Sequence, residues 1–207
     1  MGSKRAKEQH GYFDPAILCR TCDGLLGKFD EYAIDFCKTL QMTSTLRTGE
    51  AYTKAHFKGE QFAKFALAVI WRASISDRPE WKQISLGRYE AVIAGILFGE
   101  SELHAAGDLE VAMFRFTSPD HDARRFIYQP LKLRSGDLNM FSFGAGGFQI
   151  LVKADRRPIH RFLRTSVINS ATRLTCYTLR FEETAEHDYM LGVGEIDRSR
   201  MRSKRER

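Results

Sequence analysis

Long apolar runs are missing from this sequence of 207 residues. A membrane-spanning helix needs roughly 20 successive apolar residues. The best stretch, Phe62 to Trp71, is interrupted by Lys64 and followed by Arg72. The first 25 residues contain no uninterrupted apolar region of the kind that opens a cleaved secretory signal. The expectation is therefore a soluble, cytoplasmic protein with no membrane partner. Cysteine is scarce: Cys19, Cys22, Cys37 and Cys176 supply a single Cys-x-x-Cys pair and no second one. The glycine cluster Gly144 to Gly147 is not followed by Gly-Lys-Ser/Thr and is flanked by strand-like residues, which excludes a phosphate loop. Ser142 lies in Phe-Ser-Phe-Gly, without the flanking glycines of a nucleophile elbow. No complete nucleophile, base or metal set can be named, so the catalytic residues stay unassigned.

Acidic residues are also rare where basic ones are dense. The formal net charge of +6 arises from 32 Lys and Arg against 26 Asp and Glu. Residues 123–180 hold 11 basic side chains against only Asp137 and Asp155, whereas residues 181–197 hold six acids and no base. Residues 198–207 return to six bases and one acid. Within the basic block, Lys153, Arg156, Arg157, Arg161 and Arg164 fall in twelve residues, with His160 among them. Clustered guanidinium groups fork onto phosphate oxygens and displace counterions. The cluster, together with Arg200, Arg202, Lys204 and Arg205 of the tail, is the expected nucleic-acid-binding surface. The competing reading is neutralisation by the acidic 181–197 stretch or by a protein partner.

What is abundant is aromatic: 15 Phe, 7 Tyr and 2 Trp exclude a wholly disordered chain, and the length suffices for a buried core. Apolar positions 25, 26, 29, 32, 33, 36, 37 and 40 recur with helical period. Further helices are predicted from about Gly59 to Ser76, closed by Asp77-Arg-Pro79, and from about Gly87 to Phe98, stopped by Gly99. After Gly107 extended runs follow at Leu109–Thr117, Arg125–Leu133, Leu138–Phe143, Gly147–Val152 and Leu174–Phe181. A short strand is placed near Tyr52, and the Gly144–Gly147 cluster reads as a hairpin connection. Helices first and strands after predict an α+β fold with an antiparallel sheet. The stretches are 1–58 with the Cys-x-x-Cys turn and first helix, 59–105 helical, 106–190 of antiparallel strands, and 191–207 a basic tail, all within one compact domain.

Cys19 and Cys22, on a turn before a helix, read as half of a tetrahedral zinc site, as structural thiols, or as a redox pair. The other two cysteines read as core thiols. His10 and His56 have no partner spacing, and His121 between Asp120 and Asp122 reads as a polar turn.

Three stretches carry a resemblance. Ile17-Leu-Cys-Arg-Thr-Cys-Asp-Gly-Leu-Leu-Gly-Lys-Phe-Asp-Glu-Tyr-Ala, Phe65-Ala-Leu-Ala-Val-Ile-Trp-Arg-Ala-Ser-Ile-Ser with Leu86-Gly87, and Phe141-Ser-Phe-Gly-Ala-Gly-Gly-Phe are similar to a bacterial and phage family of HNH-endonuclease-like proteins. The resemblance spans about residues 14 to 152. It implies that Cys19 and Cys22 share zinc with a second Cys-x-x-Cys, and that a Ser-His-Ile-Ile-Pro-like segment supplies a histidine. Both motifs belong N-terminal to this region, and the 18 residues before Cys19 hold neither. In the matching residues, Gly27 and Asp30 are expected to shape the start of the first helix, Trp71 to cover a helix junction, and Arg72 to form a semi-buried ion pair.

The resulting expectation is a non-catalytic or degenerate HNH-like protein of bacterial or mobile-element origin. It would bind nucleic acid or a nucleic-acid-processing protein, with zinc and a homodimer as its further implications. Two alternatives stand beside it. One is an interaction protein of phage–host conflict, acting as inhibitor or accessory subunit. The other is a metal-dependent nuclease built from histidines such as His10, His56 or His121.

Overall fold

In the computed structural model, which describes residues 17–40, 47–133 and 138–188, helical periodicity becomes three helices. They are α1 (Arg20–Lys38), α2 (Gly59–Ile75) and α3 (Tyr89–Phe98). The strands are β1 (Ala51–Lys54), β2 (Leu109–Thr117), β3 (Tyr128–Leu133), β4 (Met140–Ala145), β5 (Phe148–Ala154) and β6 (Leu174–Arg180). The fold is mixed α+β, helices preceding most of the sheet.

Helix α1 begins five residues before the apolar stripe does. Cys19 is its N-cap, with Sγ accepting the Cys22 N–H at 3.4 Å. A cap needs no apolar neighbour, so the stripe could not reveal it. Gly27 and Asp30 consequently lie inside the helix, not at its start. Asp30 instead accepts two hydrogen bonds from Arg72, at 2.8 and 3.1 Å, which fork α2 onto α1. Ser74 donates to Glu90 at 2.6 Å and ties α2 to α3. Trp71 packs edge-on against Phe98 across the same junction. Gly99, at φ +85°, ends α3 in the left-handed conformation that glycine adopts without a Cβ clash.

The sheet order is β1-β6-β2-β5-β4-β3. All neighbours are antiparallel except β6 and β2, which run parallel, so the sheet is mixed where a purely antiparallel one was expected. The path of the chain explains this. Strand β5 leaves the sheet at Ala154, opposite Leu109 at the start of β2. Residues 155–173 stay at that end, where Ile168 donates to the Val111 carbonyl at 2.8 Å. Strand β6 therefore enters from the same end as β2 and must run with it. The β4–β5 hairpin closes on Gly146 (φ +57°) and Gly147 (φ +79°), the two positive angles that a tight two-residue turn requires.

Strand alternation divides the side chains between two faces. One face joins the helices in a continuous core that draws on Leu26 and Phe36 of α1, Phe62 and Ile70 of α2, Ile93 of α3, and Val111, Phe141, Ile150 and Val152 of the sheet. Arg115 is buried in this layer. It donates to the Gly146 and Gly147 carbonyls at 2.8 and 3.0 Å and lies 4.8 Å from the Phe148 ring centre, so its charge meets turn carbonyls and a ring face. The opposite face carries Ala112, Phe114, Met140 and Leu151, and is closed by Ile159 and Leu163 from the segment that follows β5.

Gly59, where α2 begins, approaches the loop after β2's cover segment more closely than any side chain permits. A Cβ there would overlap the Ile168 carbonyl oxygen and lie 2.7 Å from that of Ala171. Gly59→Ala is expected to destabilise the fold by about 3 kcal/mol, the upper range for overpacking; an unchanged urea midpoint would contradict this contact.

Candidate nucleic-acid interface

The basic segment is the lid of the sheet's second face. Its turn is fixed by Asp155, whose carboxylate accepts the Asn139 and Arg157 N–H groups, both at 2.9 Å, and the Arg157 guanidinium at 2.7 and 3.0 Å. The guanidinium holds this carboxyl well below the usual carboxylate range. Ile159 and Leu163, four residues apart, then point into the second core, the latter from the 3₁₀ turn Arg161–Ser166. Past that turn the chain returns to β2, pairing Val167 with Ala112. Asn169 receives the Val111 N–H and donates to the Leu109 carbonyl, both at 2.8 Å.

Because Ile159 and Leu163 face inward, Arg156, Arg157, His160, Arg161, Phe162 and Arg164 are left outside, all exposed. Phe162 is 71% exposed, and the His160 ring stacks on it at 5.7 Å with 10° between planes. Arg157 is committed to Asp155. Among the described residues, Arg156, Arg161 and Arg164 form no ion pair with a carboxylate. The result is a ridge of guanidinium groups around a bare aromatic pair.

Lys153 does not belong to this surface. Its side chain is 1% exposed, and its ammonium sits 2.6 Å from Glu110 and donates to the Arg157 carbonyl at 2.8 Å. It occupies β5 opposite Glu110 and Met140, on the same face as Leu151, and anchors the arginine turn from beneath. A buried ammonium cannot reach phosphate, so Lys153 is corrected from a binding residue to a positioning one. Arg200, Arg202, Lys204 and Arg205 lie outside the described residues, as does His10.

The acidic stretch covers the other half of the second face, and its described part is engaged elsewhere. The Glu182 carboxylate accepts from Ser118 and neighbours Arg180. Glu186 is buried and accepts from Gln149 at 2.5 Å and Ser142 at 3.3 Å, while the Tyr128 and Ser142 hydroxyls share a 2.7 Å hydrogen bond. Burial first, then the Glu186 charge, push the Tyr128 phenol up. This network was not foreseen, since its four members come from separate segments. Among the described residues, no acid of 181–188 pairs with Arg156, Arg161 or Arg164.

The thiols do not converge. Cys19 and Cys22 lie at the exposed start of α1, and hydrogen bonds from Cys22, its backbone N–H first, lower the Cys19 pKa. The Cys19 sulfur raises that of Cys22. Burial pushes Cys37 to about 11 and Cys176 to about 12, in keeping with core thiols. Among the described residues, no three His, Cys, Asp or Glu side chains are grouped to hold a metal. Two thiols fit half of a tetrahedral zinc site and no more. In the Asp120–Asp122 turn, the Arg124 guanidinium pulls Asp122 down to about 2 by direct hydrogen bonding, and the His121 N–H is bound to Ser118. This is a capped polar turn.

No family model matches this chain, and no match was found among the curated proteins or the solved structures compared with it.

Two outcomes check these placements. Lys153→Gln is expected to lower stability by about 3 kcal/mol, as breaking a buried ion pair does, whereas Arg156→Gln shifts it by less than about 0.5 kcal/mol; denaturant melts that reverse this order would refute the assignment. In native protein at pH 8, iodoacetamide is expected to label Cys19 first and Cys22 more slowly. Cys37 should lag Cys19 by at least about two orders of magnitude and Cys176 by at least about three, because each unit of pKa above the working pH removes about tenfold of thiolate. Peptide mass spectrometry reads the order.

Proposed function

We propose that this protein binds nucleic acid through the ridge formed by Arg156, Arg161, Arg164 and the His160–Phe162 pair. The observation that carries this reading is Phe162. A phenylalanine left bare to solvent, beside a stacked imidazole and three guanidinium groups that have no carboxylate partner among the described residues, suits stacking of unpaired bases and neutralisation of the adjoining phosphates. The substrate class favoured is therefore single-stranded nucleic acid, because a paired duplex hides its base faces. Such a role agrees with the HNH-endonuclease-like family that the sequence resembles, the tail arginines adding affinity without sequence preference. Zinc at Cys19 and Cys22 would need two further ligands from outside the described residues or from a second chain. About one zinc per protein supports the first source, one per two chains the second, and none removes zinc from the proposal.

Fluorescence-anisotropy titration with single-stranded and duplex DNA at two salt concentrations tests the main reading. Binding is expected at about 50 mM salt, where phosphate contacts are strong, with single strands preferred. Phe162→Ala should weaken single-strand binding by about tenfold, within the about 1–3 kcal/mol of one base–aromatic stack. Each of Arg156→Gln, Arg161→Gln and Arg164→Gln should reduce the salt slope by about 0.7. No binding at about 50 mM salt, or binding indifferent to all four substitutions, would remove nucleic acid from this surface.

A further inference from the structure

At the foot of the ridge lies a pocket of about 350 Å³ between the N-terminal end of α3 and the ends of β4 and β5. It brings together residues that are far apart in sequence. Arg88 and Tyr89 come from the helix side, Asn139 from the start of β4, and Asp155, Arg156 and Arg157 from the turn after β5. Three arginines thus line one concavity.

Their existing partners decide what the pocket can take. Asp155 is saturated by the Asn139 N–H and three Arg157 donors, so it neutralises Arg157, and among the described residues no carboxylate compensates Arg156. Arg88 stacks its guanidinium 4.6 Å over the Tyr89 ring and reaches Asp108 only at 3.5 Å, a long contact between two half-exposed groups. Its guanidinium also donates to the Tyr89 hydroxyl, which in turn donates to Asp108 at 3.2 Å. The ion pair itself is weak in solvent, so Arg88 can turn toward an incoming anion by exchanging the neutral hydroxyl for a charged acceptor, which binds a guanidinium more strongly. Beneath the turn, the buried Lys153 ammonium fixes the Arg157 carbonyl and with it the approach of Arg156. The frame is rigid on one side and adjustable on the other.

We propose that this pocket binds a phosphate monoester, and that its natural source is the terminal phosphate of the nucleic-acid strand carried on the ridge. The pocket's volume sits at the lower end for small-ligand sites, at the scale of one phosphorylated unit. A terminal phosphomonoester carries about −1.5 to −2 charges near neutral pH, more than an internal diester, and three strong acceptor oxygens. Two arginines supplied by separate elements, Arg88 just before α3 and Arg156 in the turn after β5, suit those acceptors through charge-assisted hydrogen bonds. The strand-end form of this proposal rests on the single-strand reading above. Binding of the phosphate monoester itself does not.

The experiment has separate arms for the two. Oligonucleotides of one sequence, bearing a 5′-phosphate, a 3′-phosphate or hydroxyls at both ends, are titrated against wild type, Arg88→Gln and Arg156→Gln, alongside a calorimetric titration with a nucleoside 5′-monophosphate. A terminally phosphorylated strand is expected to bind at least about tenfold tighter than its hydroxyl counterpart, the effect of one charge-assisted hydrogen bond. Arg88→Gln, distant from Phe162 in the chain and half-exposed, should abolish that preference while leaving hydroxyl-strand affinity within about twofold. If no oligonucleotide binds yet the mononucleotide does so in an Arg88-dependent way, the ridge reading fails and the pocket stands as a small-molecule phosphate site. If strands bind through Phe162 with equal affinity for all three ends, and the mononucleotide does not bind, the ridge stands and the pocket proposal is overturned. Thermal melts of both variants within about 2 °C of wild type exclude misfolding as the cause; a larger drop is bypassed by Arg88→Lys, which keeps the charge and should restore part of the preference.

Discussion

Everything proposed for this protein depends on the need to bury both faces of a six-stranded sheet. The helices satisfy one face through a continuous aromatic and aliphatic core. The other face carries Phe114, Met140 and Leu151, and exposing them would forfeit roughly 1.5–3 kcal/mol apiece. With the helices already used, the chain covers this face with the irregular segment after β5. Ile159 and Leu163 satisfy the apolar requirement. Their spacing then dictates which residues remain outside, and those are four arginines, a histidine and a phenylalanine. The ridge is the solvent side of a hydrophobic lid.

The same lid explains how charge is sorted. Of the basic residues near the turn, one is buried and structural, one is held by Asp155, and the remainder face water. Lys153 can be buried because Glu110 and a backbone carbonyl receive its ammonium; an ammonium buried without such partners would cost several kcal/mol. The acidic segment after β6 closes the second half of the same face but turns its carboxylates toward serine, glutamine and Arg180. The described parts of the positive and negative blocks thus sit on one face without pairing, since no acid of 181–188 meets Arg156, Arg161 or Arg164.

Pairs that cross between elements give this arrangement its rigidity. Arg72 forks onto Asp30 between α2 and α1, and Ser74 meets Glu90 between α2 and α3. Arg115 secures the glycine turn of the β4–β5 hairpin from within the core. With that hairpin fixed, the end of β5 and the arginine turn that follows it have a defined position against α3, which is what creates the pocket between them.

Much of the fold was legible in the residues alone. The stripe at 25 to 40, the proline stop after α2, Gly99 and the alternation of 109–117 each report a period or a terminator, and these are local properties of a chain. The semi-buried Arg72 pair and the core placement of Cys37 and Cys176 follow from the same stripes. The cap at Cys19, the parallel run of β6 and the close approach at Gly59 were not legible, because each depends on where a distant segment passes. The candidate site divides along the same line. A dense run of arginines in 156–164 is a fact of sequence. Which basic side chain is buried, which is neutralised, that Phe162 is bare, and that Arg88 joins Arg156 across 67 intervening residues were decided only by tertiary packing. Burial and convergence belong to the path of the whole chain, and no window of neighbouring residues contains it.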